Sequence, residues 1–183
     1  MKINLSFDHS YGVEILEEIP IGYDIHYFPS KENYGKDGLI LRITPDYQVP
    51  WIGVFAFGDI SKNGYSAIFS MPDKERLCII SNGAGYIINV YDLADFEELK
   101  VIPVKVVIPI LSKGLIIFGD YTKLVAYSSK GVAWVTKQLS LDGFEIIGTS
   151  DLHIKGKYLD IRIEKDNVFT VDLSTGYSEN TIE

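Results

Sequence analysis

Apolar residues along this chain come in short runs punctuated by Gly, Asn and Asp, and residues 79–93, 116–128 and 161–173 repeat one grammar: apolar strand, turn, apolar strand. Near the C-terminus Leu159, Ile161 and Ile163 alternate with Tyr158, Asp160, Arg162 and Glu164. A period of two sends alternate side chains to opposite faces of a strand, so the apolar set is expected to point inward. Asp166-Asn167 supplies the reversal, since both residues tolerate positive φ. Phe169, Val171 and Leu173 then form the next inward set.

The same pattern lies upstream. One strand is expected over residues 77–81, a turn at Asn82-Gly83-Ala84-Gly85 and a second strand over 86–92. Others are expected over 115–118, 123–128 and 132–137, and in the N-terminal third over 39–43 and 52–57. Helix is confined to two candidates, 12–19 and 93–99, the second with Asp92 as its N-cap. Residues 99–119 are apolar enough to suggest a membrane span, yet Pro103, Lys105, Pro109, Lys113 and Gly114 interrupt them. A spanning helix needs about 20 mostly apolar residues, so this stretch reads as two buried strands joined by Ser112-Lys113-Gly114.

These elements predict one all-β domain over residues 1–183: an antiparallel meander of hairpins forming a sandwich or two packed sheets. The strand at 124–128, the small-Lys-Gly turn Ser129-Lys130-Gly131 and Trp134 resemble β-propeller blade repeats of the quinoprotein-like and WD type. That resemblance spans residues 65–176 and implies blade-like sheets as the alternative architecture. Segments around Val90, Val125 and Thr170 recur at offsets of 35 and 45 residues, near blade length. No WD dipeptide follows a blade and the third unit has no Trp after Gly176. Blades of about 40 residues would number about four, the lower limit for closure, so size favours packed sheets.

Composition narrows the function classes. The chain has 183 residues, 46% of them hydrophobic and 13% aromatic, with 12 Tyr and 9 Phe; such a composition builds a core and suits strands. Its net charge is −8, unevenly spread: residues 101–150 carry +2 and the rest is acidic. Phosphate neutralisation needs clustered Lys and Arg, so nucleic acid is not the expected partner. Met1-Lys2-Ile3-Asn4 opens no apolar leader, which makes the cytoplasm the expected location. The single cysteine, Cys78, sits in an apolar run and is expected buried as a small hydrophobe.

Candidate chemistry is sparse. Asp24/His26 and Asp151/His153 share a spacing of two, which on a strand puts both side chains on one face. A metal needs three or more converging ligands, and no HxH, HExxH or Cys/His cluster occurs. No G-x-S-x-G elbow marks a hydrolase, and the glycines at 83 and 85 precede a strand, which makes them a hairpin turn rather than a phosphate cradle. Neither metal nor cofactor is therefore expected, and neither is catalysis. Two groups of residues remain as a binding surface. Tyr27, Phe28, Tyr34 and Trp51 supply aromatic contact area; Asp92, Asp95, Glu97 and Glu98 supply an acidic face.

The expected function is that of a non-catalytic bacterial interaction protein whose partner is another, basic protein. An immunity or inhibitor protein neutralising a cationic toxin is the concrete form, with carboxylates standing where nucleic-acid phosphates would lie. A carbohydrate-binding module stacking sugars on Trp51, Trp134 and exposed tyrosines is the alternative. A hydrolase using His26 or His153 would require a pocket that joins a histidine to a carboxylate or nucleophile. An open sheet edge would also allow a homodimer.

Overall fold

The computed structural model describes residues 1–30, 37–58 and 64–179. Their contacts group into two compact units, Met1–Pro103 and Val104–Glu183. The chain is all-β as the alternation predicts, in mostly antiparallel sheets, and no α-helix occurs among the described residues.

In the first unit the strands run β1 (Lys2–Asn4), β2 (Tyr11–Leu16), β3 (Ile25–Phe28), β4 (Gly38–Pro45), β5 (Trp51–Ala56), β6 (Ala67–Ser70), β7 (Arg76–Ser81), β8 (Ala84–Asn89) and β9 (Phe96–Glu98). They form two sheets, in the orders β1-β6-β7-β8-β9 and β2-β4-β5-β3. Between them Leu41, Ile43, Trp51 and Phe55 meet Leu77, Ile79, Tyr86 and Ile88 in one buried cluster. Ser81 pairs with Ala84 across a two-residue turn, where Asn82 and Gly83 take φ of 50° and 90°. Positive φ at both central residues matches the right-handed twist of the flanking strands and accounts for the Asn-Gly sequence.

Phe69, Cys78, Ile80 and Ile87 on the opposite face of the first sheet are as buried as Ile79 and Ile88, all at 0% exposure. This burial on both faces explains the unbroken apolar run through Cys78. Burial, with Glu97 as the lesser influence, pushes the Cys78 thiol well above its ordinary pKa. Because the thiolate is the nucleophile, a soluble disulfide reagent at pH 8 should show no fast phase with the folded protein. It should titrate the cysteine promptly after denaturation; rapid reaction in the native state would refute the buried placement.

The second unit contains β10 (Val106–Ile110), a 3-10 helix at Leu111–Lys113, β11 (Leu115–Gly119), β12 (Leu124–Ser128), β13 (Gly131–Val135), β14 (Glu145–Thr149), β15 (His153–Asp160), β16 (Lys165–Asp172) and β17 (Ser178–Glu179). Two consecutive meanders result, β10-β11-β12-β13 and β14-β15-β16-β17. Ile117, Leu124, Ala126 and Trp134 from the first pack against Ile154, Tyr158, Phe169 and Val171 from the second.

Three expectations from the sequence change here. Both helix candidates are strands: residues 12–19 lie largely in β2, and 93–99 form a turn followed by β9. In β2 the apolar side chains alternate and pair with β4, so the local preference follows the sheet. The reversal before Val168 comes at residues 161–164, with Glu164 at φ 51°. Asp166 and Asn167 instead lie within β16, opposite Leu159 and Tyr158.

The third change is the face of β15. Ile154, Tyr158 and Asp160 are buried, while Leu159, Ile161 and Ile163 are exposed at 53%, 54% and 56%. Asp160 ends the strand facing inward because Arg162 supplies its partners, a backbone N–H at 3.0 Å and guanidinium nitrogens at 2.9 and 3.1 Å. These bonds, the guanidinium's first, hold the Asp160 carboxyl below its ordinary pKa.

The two units share a plan. Trp51 donates its indole N–H to the Val90 carbonyl at 3.3 Å, and Trp134 donates to the Leu173 carbonyl at 2.8 Å, with donor and acceptor 39 positions apart in both. Immediately before each accepting carbonyl, a side chain turns the chain. Asn89 Oδ1 accepts from the N–H groups of Tyr91 and Asp92, and Asp172 Oδ1 from those of Ser174 and Thr175. Each latch ties a three-stranded antiparallel core, β2-β4-β5 or β11-β12-β13, to the sheet it faces. The Trp that the hairpin comparison finds unrepeated is thus repeated at the level of the sheet pair.

Candidate functional site

Strand β3 is short and runs parallel to β5, placing Phe28 beside Phe55 and Tyr27 beside Val54. Phe28 is 3% exposed. Its ring stacks on Phe55 with centroids 4.8 Å apart and 5° between planes, and meets Phe96 edge-on at 5.3 Å. His26 stands edge-on to Trp51 at 5.5 Å.

Phe96 arrives from a distant part of the chain through a series of polar turns. Asp92 Oδ1 accepts from the Ala94 N–H at 3.1 Å, its carbonyl accepts from the Asp95 N–H at 3.0 Å, and the Asp95 carbonyl accepts from the Asn89 N–H at 2.9 Å. Short acidic side chains that capture nearby backbone N–H groups favour such turns over helix, which accounts for the missing helix at this point. Asp95 accepts from Arg76 Nη2 through both carboxylate oxygens, at 2.7 and 2.6 Å. The chain then enters β9, whose residues Phe96, Glu97 and Glu98 pair with Ile88, Ile87 and Tyr86.

Between β3 and this segment lies a cleft of about 210 Å³ lined by residues 25–30 together with Leu93 and Phe96. The aromatic and acidic groups, separate in the sequence, therefore adjoin. Tyr27 and Phe28 line the cleft from one side, and the segment bearing Asp92, Asp95, Glu97 and Glu98 borders it from the other. Glu98 and Asp92 are exposed and Glu97 is half-buried. Asp95 is engaged by Arg76, so its role is to fix the turn. Trp51 lies outside the cleft lining, at 7% exposure, and Tyr34 falls outside the described residues. The exposed face also ends at a sheet edge, since β9 is the last strand in its order.

His26 lines the cleft, and Asp24, exposed just before β3, accepts the Ile52 N–H at 2.8 Å through its backbone carbonyl. The other Asp-x-His pair separates. Asp151 precedes β15 and accepts a hydrogen bond from Ser112 Oγ at 3.1 Å, whereas His153, inside the strand, pairs with Asp172. A spacing of two joins side chains only where both residues are in the strand. Among the described residues no group of three or more His, Cys, Asp or Glu converges as a metal would require. No helix among them is long and apolar enough to cross a membrane.

No family model matches the chain, and no curated protein does. A solved structure, described as the extracellular domain of the one-component system BT4673 from B. thetaiotaomicron, aligns at 13% identity with a TM-score of 0.44. The alignment covers 88% of this chain and 25% of that one.

Sequence reasoning overlooked Leu93, Pro29 and Phe96 as lining residues. The available signal was Phe96 itself, a large apolar residue between Asp95 and Glu97 in a run otherwise suited to solvent. Trp51 and Trp134, offered by the sequence as sugar platforms, are each 7% exposed and donate their N–H groups inward.

Proposed function

We propose that this chain is a non-catalytic bacterial protein that binds a basic protein partner along β9 and the adjoining aromatic cleft, in the manner of an immunity or inhibitor protein. The observation that supports this reading is the convergence of an open sheet edge, exposed carboxylates and an apolar cleft at one place. An extended basic segment could add to β9 through main-chain hydrogen bonds, the mode of β-augmentation. Its Lys or Arg side chains would meet Glu98 and Asp92 on the side of the cleft and Glu97 on the other face of β9, and one apolar side chain would enter between Tyr27 and Phe96. Pairing β9 with the same strand of a second copy would instead bring like charges together, which disfavours a homodimer through this edge.

Charge supports the same assignment. Residues 1–103 carry fifteen Asp and Glu against eight Lys and Arg, and residues 104–183 carry ten against nine, so the acidity resides in the unit that bears the cleft. Such a field accelerates encounter with a cationic protein and weakens with salt.

The test is affinity capture from the native host with two baits, the unaltered chain and a Glu97→Gln/Glu98→Gln variant that keeps side-chain size. The expected result is a basic protein held by the first and depleted from the second, which after purification binds about tenfold or more weakly to the variant. Recovery of no basic protein, or equal recovery by both baits, would count against the proposal.

A further inference from the structure

We infer a second binding site in the Val104–Glu183 unit, a polar cup on the outer face of β15-β16-β17 that takes a small polyhydroxylated ligand of the sugar class. Strand register builds it. His153 is directly opposite Asp172, and Thr170 directly opposite Glu179; since Thr170 and Asp172 are two apart on β16, all four side chains share one face. The opposite face holds the core residues Ile154 and Val171. Thr175 and Tyr177, from the β16-β17 connection, complete a cup of about 480 Å³.

The lining is set for hydrogen bonding rather than for packing. Asp172 Oδ1 accepts from Ser174 N–H at 3.0 Å and from the N–H and hydroxyl of Thr175, both at 2.9 Å. These bonds fix the carboxylate without engaging Oδ2. Among the described residues, no hydrogen bond occupies Asp172 Oδ2, the Glu179 carboxylate, the Tyr177 or Thr170 hydroxyls, or the His153 ring. Tyr177 is 65% exposed, so its ring is available to a ligand face.

This inventory selects among ligand classes. Two carboxylates repel an anion. A cation would meet the carboxylates and could be accepted by the hydroxyl oxygens, but it would leave the hydroxyl hydrogens of Thr170 and Tyr177 without an acceptor, which a sugar supplies. A metal is disfavoured because no set of three ligating side chains converges among the described residues. Sugar hydroxyls both donate and accept, so they can bond the carboxylates and the donors together, while a pyranose ring face rests on the tyrosine. The volume lies within the range of small-molecule sites.

Saturation-transfer NMR and calorimetry with glucose, galactose, mannose, xylose and N-acetylglucosamine, and with L-arginine as the cationic control, test this site. The variants Tyr177→Ala and Glu179→Gln change exposed side chains, and the circular dichroism of each verifies folding. At least one sugar should bind the unaltered chain, shift the His153 ring resonances and lose about tenfold or more in affinity in each variant, through a lost hydrogen bond to a charged group in Glu179→Gln and a lost aromatic contact face in Tyr177→Ala. Binding of none of these sugars, binding unaffected by either variant, or binding of arginine alone would overturn the assignment. The cup lies in a different unit from the β9 cleft, so either site can fail without the other.

Discussion

Ile154→Asp should unfold the Val104–Glu183 unit, while Ile161→Asp should leave its melting temperature almost unchanged. Ile154 is 0% exposed among Ile117, Trp134 and Val171. An aspartate there would lose the apolar transfer energy and bury a carboxylate with no partner, at several kcal/mol in total. A domain's whole stability is about 5–15 kcal/mol, so most of the protein should be unfolded or insoluble. Ile161 lies in the exposed turn after Asp160, where substitutions generally act within about 0.5 kcal/mol. Thermal melts of the two variants test these placements: an unfolded Ile161→Asp beside a stable Ile154→Asp would overturn both.

Trp134→Ala should be the other severe substitution. The indole fills the space between the two sheets of its unit, packs over Gly176 and donates to the Leu173 carbonyl at 2.8 Å. Truncating a buried Trp costs about 3–5 kcal/mol, and here it also strands an inward-facing carbonyl. Trp134→Phe separates the two terms: it keeps most of the ring and removes the donor, for which about 1–3 kcal/mol is expected. Gly176→Ala should be destabilising from the other side of the contact. A Cβ would lie 2.7 Å from the indole ring, at a backbone φ of +70° that side chains rarely adopt. Urea unfolding followed by circular dichroism measures each, since the substitutions at position 134 remove the tryptophan of that unit and leave only Trp51 in the other. A loss below 1 kcal/mol for Trp134→Ala would refute the latch.

What the sequence revealed depended on how each strand is buried. The inward set Phe169, Val171 and Leu173 was legible, and so was the turn at Asn82-Gly83, although Ala84 and Gly85, expected within that turn, already belong to β8; turn chemistry and alternation act locally. The face of β15 was not. Its inward positions include Gly156, against which Phe169 packs, and Asp160, whose cost is met by Arg162, so the apolar alternation ran on the wrong parity. The double burial of β7 removed alternation altogether. The repeated plan escaped notice because the hairpin comparison matched Val90 with Thr170, whereas the indole bonds make Val90 equivalent to Leu173.

The candidate site was half legible. Its residue types were visible, but the contact between Phe28 and Phe96 joins segments 68 positions apart, and nothing local announces it. The cup at His153 was hidden for the same reason, since its partner is Asp172 across a strand pair rather than Asp151 nearby.

Among the described residues, strand β3 has no counterpart in the second unit. There the fourth strand, β10, joins the three-stranded core beside β11, on the side away from β13, whereas β3 lies beside β5. The aromatic cleft therefore stands on the one element of its sheet that the shared plan of the two units does not account for.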